Sequence, residues 1–528
     1  MRGLINDFLR WLIEAGVRRL GPLLELLHRA QIRTAGRCHD QMRRRYRLTA
    51  TTPVVGWSAA VEESLQRHAA GSVRIALTSG TTTIPKRVPY SGRRLRAVKF
   101  AYSDMFIRGC RARRIRRTSV YVFGSLDPDD SLTSLLLNEE RLPSYFSTLQ
   151  APYRVQRDPS MLALASTYGP TALRLWILTI ANPGVLYSTN PSTLSIFLDA
   201  LTSDWLRHAR LVHDFCERPE MFDRAVHSIA RRLESRGSSE RLARIANSRA
   251  ALPLHTFAPG VEAYVCWTGG QVQPFLDRLA QRLAPDRYHL IPMYSMSTET
   301  IETVPHFEDA RVAFLPLARG VCYEFIEEGA EDRPENLRTA DQLRVGKAYA
   351  MVVSDRYGLR RYQTGDLFQC KGFVGELPDL EFLRRRELSY SFTGEKVTAE
   401  QLTIAFERLR EECQELRPVD FLTCIPCGEP VPHYKLVLTL AADNDRFVAN
   451  DEIARRCDRL LGEINCEYRH KRDSGRLGGM RVVRMSLADL AARARWENQF
   501  KLLPLSRTRW ESPVTQQATE AAREPSSM

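Results

Sequence analysis

A chain of 528 residues exceeds what one ordinary core organises, so two or three domains are expected. Hydrophobic residues at 44% and charged residues at 26% are the proportions of a globular protein and exclude wholesale disorder. The formal charge is +14, but its arginine clusters, Arg43 to Arg47, Arg108 to Arg117 and Arg384 to Arg386, are scattered and lack interleaved stacking aromatics. They read as a solvated basic surface that attracts anions, with no nucleic-acid partner expected.

The N-terminal thirty residues place Leu4, Phe8 and Leu12, then Leu20, Leu23, Leu24 and Leu27, at helical spacing, with an interruption at Gly21 and Pro22. This predicts a pair of amphipathic helices covering the main domain, the other reading being a membrane-surface element. Asp7, Arg10 and Glu14 break the apolar run, so no secretion signal is expected. No apolar segment reaches the ~18 residues of a membrane span. Eleven cysteines lie singly, and only Cys424 and Cys427 have metal-like spacing with nothing to complete a site, so reduced thiols in a cytoplasmic protein are expected and zinc is not.

The strand-like run Val73 to Leu77 breaks into Thr78, Ser79, Gly80, Thr81, Thr82 and Thr83 before Pro85 and Lys86. Gly80 permits a tight turn, converging N–H groups can hold anionic oxygens, and the hydroxyls with Lys86 add donors. The alternative is a polar surface turn. The P-loop of ATPases is excluded, since no second glycine precedes the lysine and no Ser/Thr follows it.

Residues 95 to 250 read as mostly helical, with strand-like VYVFGS at 120 to 125 and a turn at Asn182, Pro183 and Gly184. At 261 to 275 a strand ends in Thr268, Gly269 and Gly270 and a helix follows, the unit from which α/β sheets are built, with ligands outside the carboxyl ends of the strands. HLIPMY then leads into YSMSTETIE at 294 to 302, where Tyr294 could lie on a purine, Thr298 could donate to a phosphate and Glu299 could hold magnesium. The bland alternative is the capped start of a helix.

VCYEFIEEG at 321 to 329 alternates as a strand, and 345 to 373 reads as two strands joined at Asp355 to Gly358, a small hairpin or barrel. Asp366, after Thr364 and Gly365, is placed to accept both hydroxyls of a ribose, or is simply an Asp in a Gly-Asp turn. A basic corner near Arg386 marks the expected boundary between residues 1–386 and a small α+β domain at 387–510, whose first helix is capped by Thr398. Residues 511–528 are Ser/Thr/Gln/Pro-rich and are expected to be disordered.

TSGTTTIPK, TGG, YSMSTE, YEFI, GLRRYQTGD, Arg385, GEKVTAE, INCEY and NQFK stand in the order and rough spacing of one family, over residues 70 to 505. The chain resembles a bacterial member of the plant auxin-responsive promoter family, the acyl acid amido synthetases of the adenylate-forming luciferase-like superfamily. The resemblance implies an α/β fold, with mixed sheets flanked by helices plus a small β-subdomain in a large N-terminal domain, and a mobile C-terminal domain. It implies ATP and Mg²⁺ as cofactors, activation of a small carboxylic acid as an acyl adenylate, and transfer to an amine, with a thiol as the alternative acceptor.

By the same resemblance, Ser79, Thr81, Thr82 and Lys86 would bind phosphates, Gly269 and Gly270 would line the nucleotide, and Tyr294 would pack on adenine. Thr298 would touch the α-phosphate, Glu299 would hold Mg²⁺, and Asp366 would bind ribose. Arg385, Lys396 and Lys501 would supply positive charge, Lys501 as the catalytic lysine. Thr83 and Ile84 depart from the glycines of the plant loop, and Met296 stands where a small residue is usual. A monomer is expected, and the acyl pocket is placed between about 110 and 260 with no spacing that identifies an acid.

Overall fold

The computed structural model describes the chain from residue 2 to 506, apart from 70, 78–85, 125, 127–130, 138–154, 270–271, 284–286, 294–296, 309–310, 387–388, 391, 393–394, 396, 417–418, 420, 429–430, 440–448, 487–488 and 491–503. It is an α/β protein whose two compact units divide, for the most part, between Arg384 and Arg385.

The larger unit contains a parallel sheet of four short strands, Val120–Val122, Val185–Tyr187, Ala263–Cys266 and His289–Pro292, lying side by side in chain order. Both faces are covered, as an all-parallel sheet requires. Alternate side chains serve separate cores: Val120, Val122, Val185, Ala263 and Val265 join one, and Tyr121, Leu186, Tyr264 and Cys266 the other. The second core is closed by the helix Pro170–Ala181, which buries Trp176 completely. That helix stops at Asn182, a left-handed residue (φ 45°) before the Pro183–Gly184 turn, where a Cβ on Gly184 would lie 2.1 Å from the Arg117 carbonyl oxygen.

A five-stranded sheet follows, in the order Leu337–Arg338, Val321–Glu327, Ala348–Asp355, Tyr362–Val374, Leu377–Arg385. The expected turn at Asp355 is present, its carboxylate accepting from the amides of Tyr357 (2.8 Å) and Leu359 (3.0 Å). The two strands that flank the hydroxyl-rich stretch in sequence, Val73–Leu77 and Arg87–Ser91, pair antiparallel, with Leu77 opposite Arg87.

The N-terminal interruption is not where the sequence suggests it. One helix runs unbroken from Arg2 to Arg33 with Pro22 inside, and the second, Ala35–Arg45, begins after Thr34. A proline crowds the Cβ of the residue before it, and Gly21 has none, so the helical path survives. The helix docks by Glu14, which accepts from the amides of Thr118 (2.9 Å) and Ser119 (3.1 Å). Among the described residues no helix is long and apolar enough to cross a membrane.

The smaller unit has strands Phe421–Cys427, His433–Thr439 and Arg481–Met485, the first pair antiparallel and the second parallel, with helices Ala399–Glu412 and Asn450–Ile464. Thr398 caps the first helix as expected, in a capping box with Gln401. Beyond Lys501, the segment Pro504 to Ser506 is fixed to the sheet by two backbone hydrogen bonds with Cys424 (2.7 and 2.8 Å).

Candidate active site

Lys86 directly precedes the strand Arg87–Ser91, and its side chain is only 13% exposed. Its Nζ donates to Oε1 of Glu299 at 2.6 Å and to the hydroxyl of Tyr362 at 2.9 Å, and that hydroxyl donates to the same Oε1 at 3.0 Å. The ammonium also lies 5.5 Å from the centroid of the Trp57 ring and 5.7 Å from that of Tyr362. Two aromatic faces, a phenol and a carboxylate thus compensate one partly buried cation.

The elements that hold this triangle are specified nearby. Arg361 sits at φ 42°, a strained conformation for a residue with a Cβ. Its guanidinium compensates: it makes a two-pronged bond to Glu324 (2.8 and 3.0 Å) and donates to the carbonyls of Thr49 (2.9 Å) and Thr52 (2.7 Å). Val55 pairs with the same strand, donating to the Arg361 carbonyl (3.0 Å), and this brings Trp57 to Lys86.

On the other side, residues 297 to 300 form a bend and not the start of a helix. Their carbonyls are claimed from below: Tyr90 donates to Thr298 at 2.7 Å, and Arg94 donates to Glu299. These side-chain donors satisfy the two carbonyls where helical amides do not. Burial pushes the Tyr90 hydroxyl up to about 12, which keeps it a donor.

Asp366 lies in the strand that carries Tyr362 and is 4% exposed. It does not occupy a Gly-Asp turn between elements. Pairing jumps from Val352–Gln363 to Ala350–Leu367, so Thr364, Gly365 and Asp366 bulge opposite Met351, with Gly365 at φ 86°. Gly269 follows the strand Ala263–Cys266, and a Cβ there would lie 2.8 Å from the Trp267 indole nitrogen and 3.3 Å from Phe382. The glycine is needed for close approach.

The structure therefore brings Lys86 and Glu299 into contact and gives local settings to Thr298, Asp366 and Gly269. Arg385 ends the strand Leu377–Arg385. Ser79, Thr81, Thr82, Gly270, Tyr294, Lys396 and Lys501 lie outside the described residues. Tyr362 and Trp57 carry no expectation from the sequence, although Tyr362 stands inside the GLRRYQTGD motif.

Glu299 has one feature that suits a hard cation. Both contacts fall on Oε1, while Oε2 makes no hydrogen bond among the described residues. Among those residues no group of three or more His, Cys, Asp or Glu could hold a metal. One carboxylate oxygen fits Mg²⁺ only where a ligand's phosphates supply the other oxygens.

The parallel sheet, with the bend at 297 to 300 after its last strand, and the antiparallel sheet that carries Asp366 and Tyr362 make up a fold shared with solved acyl acid amido synthetases. The chain matches the GH3.15 acyl acid amido synthetase over 94% of its own length and 96% of that chain, with a TM-score of 0.65 and 14% identity. For AtGH3.15 acyl acid amido synthetase in complex with 2,4-DB the TM-score is 0.63, at 14% identity, covering 89% of this chain and 86% of that one. At such identity the likeness is one of fold.

In sequence, residues 314–385 match the GH3 family central domain and residues 400–500 the GH3 family C-terminal domain. These two stretches are similar to GH3-family domains, in line with the resemblance the motifs carry. Jasmonoyl–L-amino acid synthetase JAR4 of Nicotiana attenuata is 27% identical over 230 residues, 42% of this chain and 37% of that one. Indole-3-acetic acid-amido synthetase GH3.3 of Arabidopsis thaliana is 27% identical over 190 residues, 35% of this chain and 32% of that one. The chain thus spans about a third of the length of the curated relatives it matches.

Proposed function

We propose that the protein is a cytoplasmic ATP-dependent ligase that activates a carboxylic acid as an acyl adenylate, releasing pyrophosphate, and passes the acyl group to an amine, an amino acid, to give an amide and AMP. The observation that carries this reading is the Lys86–Glu299–Tyr362 triangle, whose lysine directly follows the Ser/Thr stretch in sequence, on a fold shared with an acyl acid amido synthetase. The named relatives are amido or amino acid synthetases, which favours an amine over a thiol as acceptor.

The chemistry joins two anions, because a carboxylate oxygen must attack the α-phosphorus of ATP. Positioning and charge neutralisation are therefore what the site must supply. In this reading the hydroxyls of Ser79, Thr81 and Thr82 and the ammonium of Lys86 hold phosphate oxygens, and Thr298 donates to the α-phosphate. Tyr294 and the Gly269–Gly270 turn flank the base, and Asp366 accepts from the ribose hydroxyls. Mg²⁺, when bound, would be held by Glu299 together with the nucleotide's phosphates and would neutralise their charge. Lys501, with Lys396 and Arg385, supplies further positive charge, and the C-terminal domain is proposed to be mobile so that one cleft can serve both half-reactions.

Pyrophosphate exchange into ATP with a panel of carboxylic acids tests the first half-reaction, and no exchange with any acid would overturn the reading. Offering amino acids or coenzyme A to the active acid and following AMP release identifies the acceptor. Asp366→Ala is expected to slow exchange at least about a hundredfold through loss of a charge-assisted ribose contact; near-normal exchange would remove Asp366 from the site.

A further inference from the structure

The helix Gly92–Ala112 carries Arg94, the donor to the Glu299 carbonyl, in its first turn and Arg111 in its last. At ~1.5 Å rise per residue, the two arginines lie about 25 Å apart along its axis. The helix ends in a reversal in which the Arg114 amide donates to Arg111 (3.0 Å) and the Ile115 amide to Cys110 (2.9 Å), with Arg114 at φ 54°. Glycine is the default at that left-handed position, and any side chain there costs stability. This chain places an arginine.

Around the reversal, between it and the helix Arg2–Arg33, lies a cleft of about 510 Å³, within the size range of small-molecule sites. Arg18, Arg111, Arg114, Arg116 and Arg117 line it, against a single carboxylate, Glu14. Glu14 is already committed to the amides of Thr118 and Ser119, and Arg18 and Arg117 reach the carbonyls of Arg116 and Asn182. The side chains of Arg111, Arg114 and Arg116 make no ion pair or hydrogen bond among the described residues. Thr118, also lining the cleft, is fully buried with no hydrogen-bond partner for its Oγ1. Ile107 and Ile115 add apolar surface.

Five arginines outnumber the carboxylates beside them, Glu14 and, at the Arg116 amide (2.7 Å), Glu262, so the excess like charge repels. The dipole of the helix C-terminus favours cations only in its last turn, and Arg116 and Arg117 lie beyond it. A ligand bearing several anionic oxygens supplies what is missing: countercharge for guanidinium forks and a partner for the buried hydroxyl. We propose that this cleft is a second anion site that binds a phosphate-bearing small molecule, about 25 Å along the helix from the Lys86–Glu299 site.

The test is calorimetric titration of the full chain with inorganic pyrophosphate, in the presence of a saturating nonhydrolysable ATP analogue. Binding is expected to persist, to weaken as salt rises, to exceed that of inorganic phosphate, and to fall at least tenfold in R111A/R114G. R114G alone relieves the left-handed strain, so its Tm should match or exceed the parent's while its affinity falls, which separates charge from folding. Y362F, which keeps both charges of the Lys86–Glu299 pair, should retain the binding when titrated without the analogue. The site is overturned if the parent binds no pyrophosphate, if R111A/R114G binds as tightly as the parent, if phosphate binds equally well, or if Y362F abolishes the binding. These variants assign the binding whether or not Tyr362 belongs to a nucleotide site.

Discussion

The hydroxyl of Tyr362 closes the triangle between Lys86 and Glu299, at 2.9 and 3.0 Å, inside a setting where Glu299 is 2% exposed. Deleting either charge would strand the other and cost about 3–5 kcal/mol, which confounds folding with function. Removing only the phenol is cleaner. Tyr362→Phe is expected to lower stability by about 1 kcal/mol, seen as a small loss in Tm, and to slow pyrophosphate exchange about tenfold. Full exchange activity at a lowered Tm would make the hydroxyl a purely structural group. Lys86 and Glu299, which the structure brings together, and Asp366, whose role is a proposal, stand out in the sequence because each lies beside glycine or hydroxyl residues that make the stretch chemically distinct. Tyr362 does not, since a tyrosine between strand-forming neighbours reads as core, and its partners lie 276 and 63 positions away.

At the scale of elements, the bulge at Thr364 to Asp366 depends on one backbone angle. Gly365 has φ 86° and nothing within 4 Å of where a Cβ would stand, so Gly365→Ala meets no steric block and isolates conformational strain. It should cost about 1–2 kcal/mol in chemical denaturation and depress exchange by moving Asp366. A variant with unchanged stability would mean the strand accommodates the bulge in another way. In the smaller unit, GEKVTAE and INCEY meet: Asn465 donates to the Glu395 carbonyl (2.9 Å) and to Gln401 (3.0 Å), and caps the helix Cys466–Asp473 through the Tyr468 amide (2.9 Å). Asn465→Ala removes a helix cap together with the bonds to the Glu395 carbonyl and Gln401, so a loss of about 2 kcal/mol is expected in the unfolding of that unit. Strands and helices with clear periodicity were readable from the sequence. The bend at 297 to 300 was not, because Tyr90 and Arg94, distant in sequence, take the carbonyls a helix would use. The unbroken helix through Pro22 was missed because the proline outweighed the glycine before it.

For the molecule as a whole, the parallel sheet and the antiparallel sheet could be anticipated from strand, glycine and helix order, whereas the way the N-terminal helix is fastened to the larger unit could not. One fastening is a buried histidine pair. Nε2 of His28 and Nδ1 of His306 are 3.1 Å apart, a bond in which one ring donates and the other accepts, so both cannot be protonated. Burial first, then the Arg108 guanidinium, lowers His28 from 6.5 to about 2, and burial lowers His306 as well. Arg108, Arg29, Glu25 and Glu308 face the pair, the arginines opposing protonation and the carboxylates favouring it. Because the unfolded chain takes up a proton below pH 6.5 while folded His28 does not, stability from this residue is present above pH 6.5 and lost as pH falls below it. Going from pH 7.5 to 5.5 should cost about 1.4 kcal/mol for His28, with His306 adding in the same direction. Asp104 opposes the trend, since burial raises its carboxyl and the folded state then holds its proton more tightly than the unfolded chain. Comparing the pH dependence of Tm in the parent and in His28→Gln removes that background. The parent's Tm should fall more steeply between pH 7.5 and 5.5, and equal slopes in the two proteins would show that the histidine pair does not couple the N-terminal helix to protons.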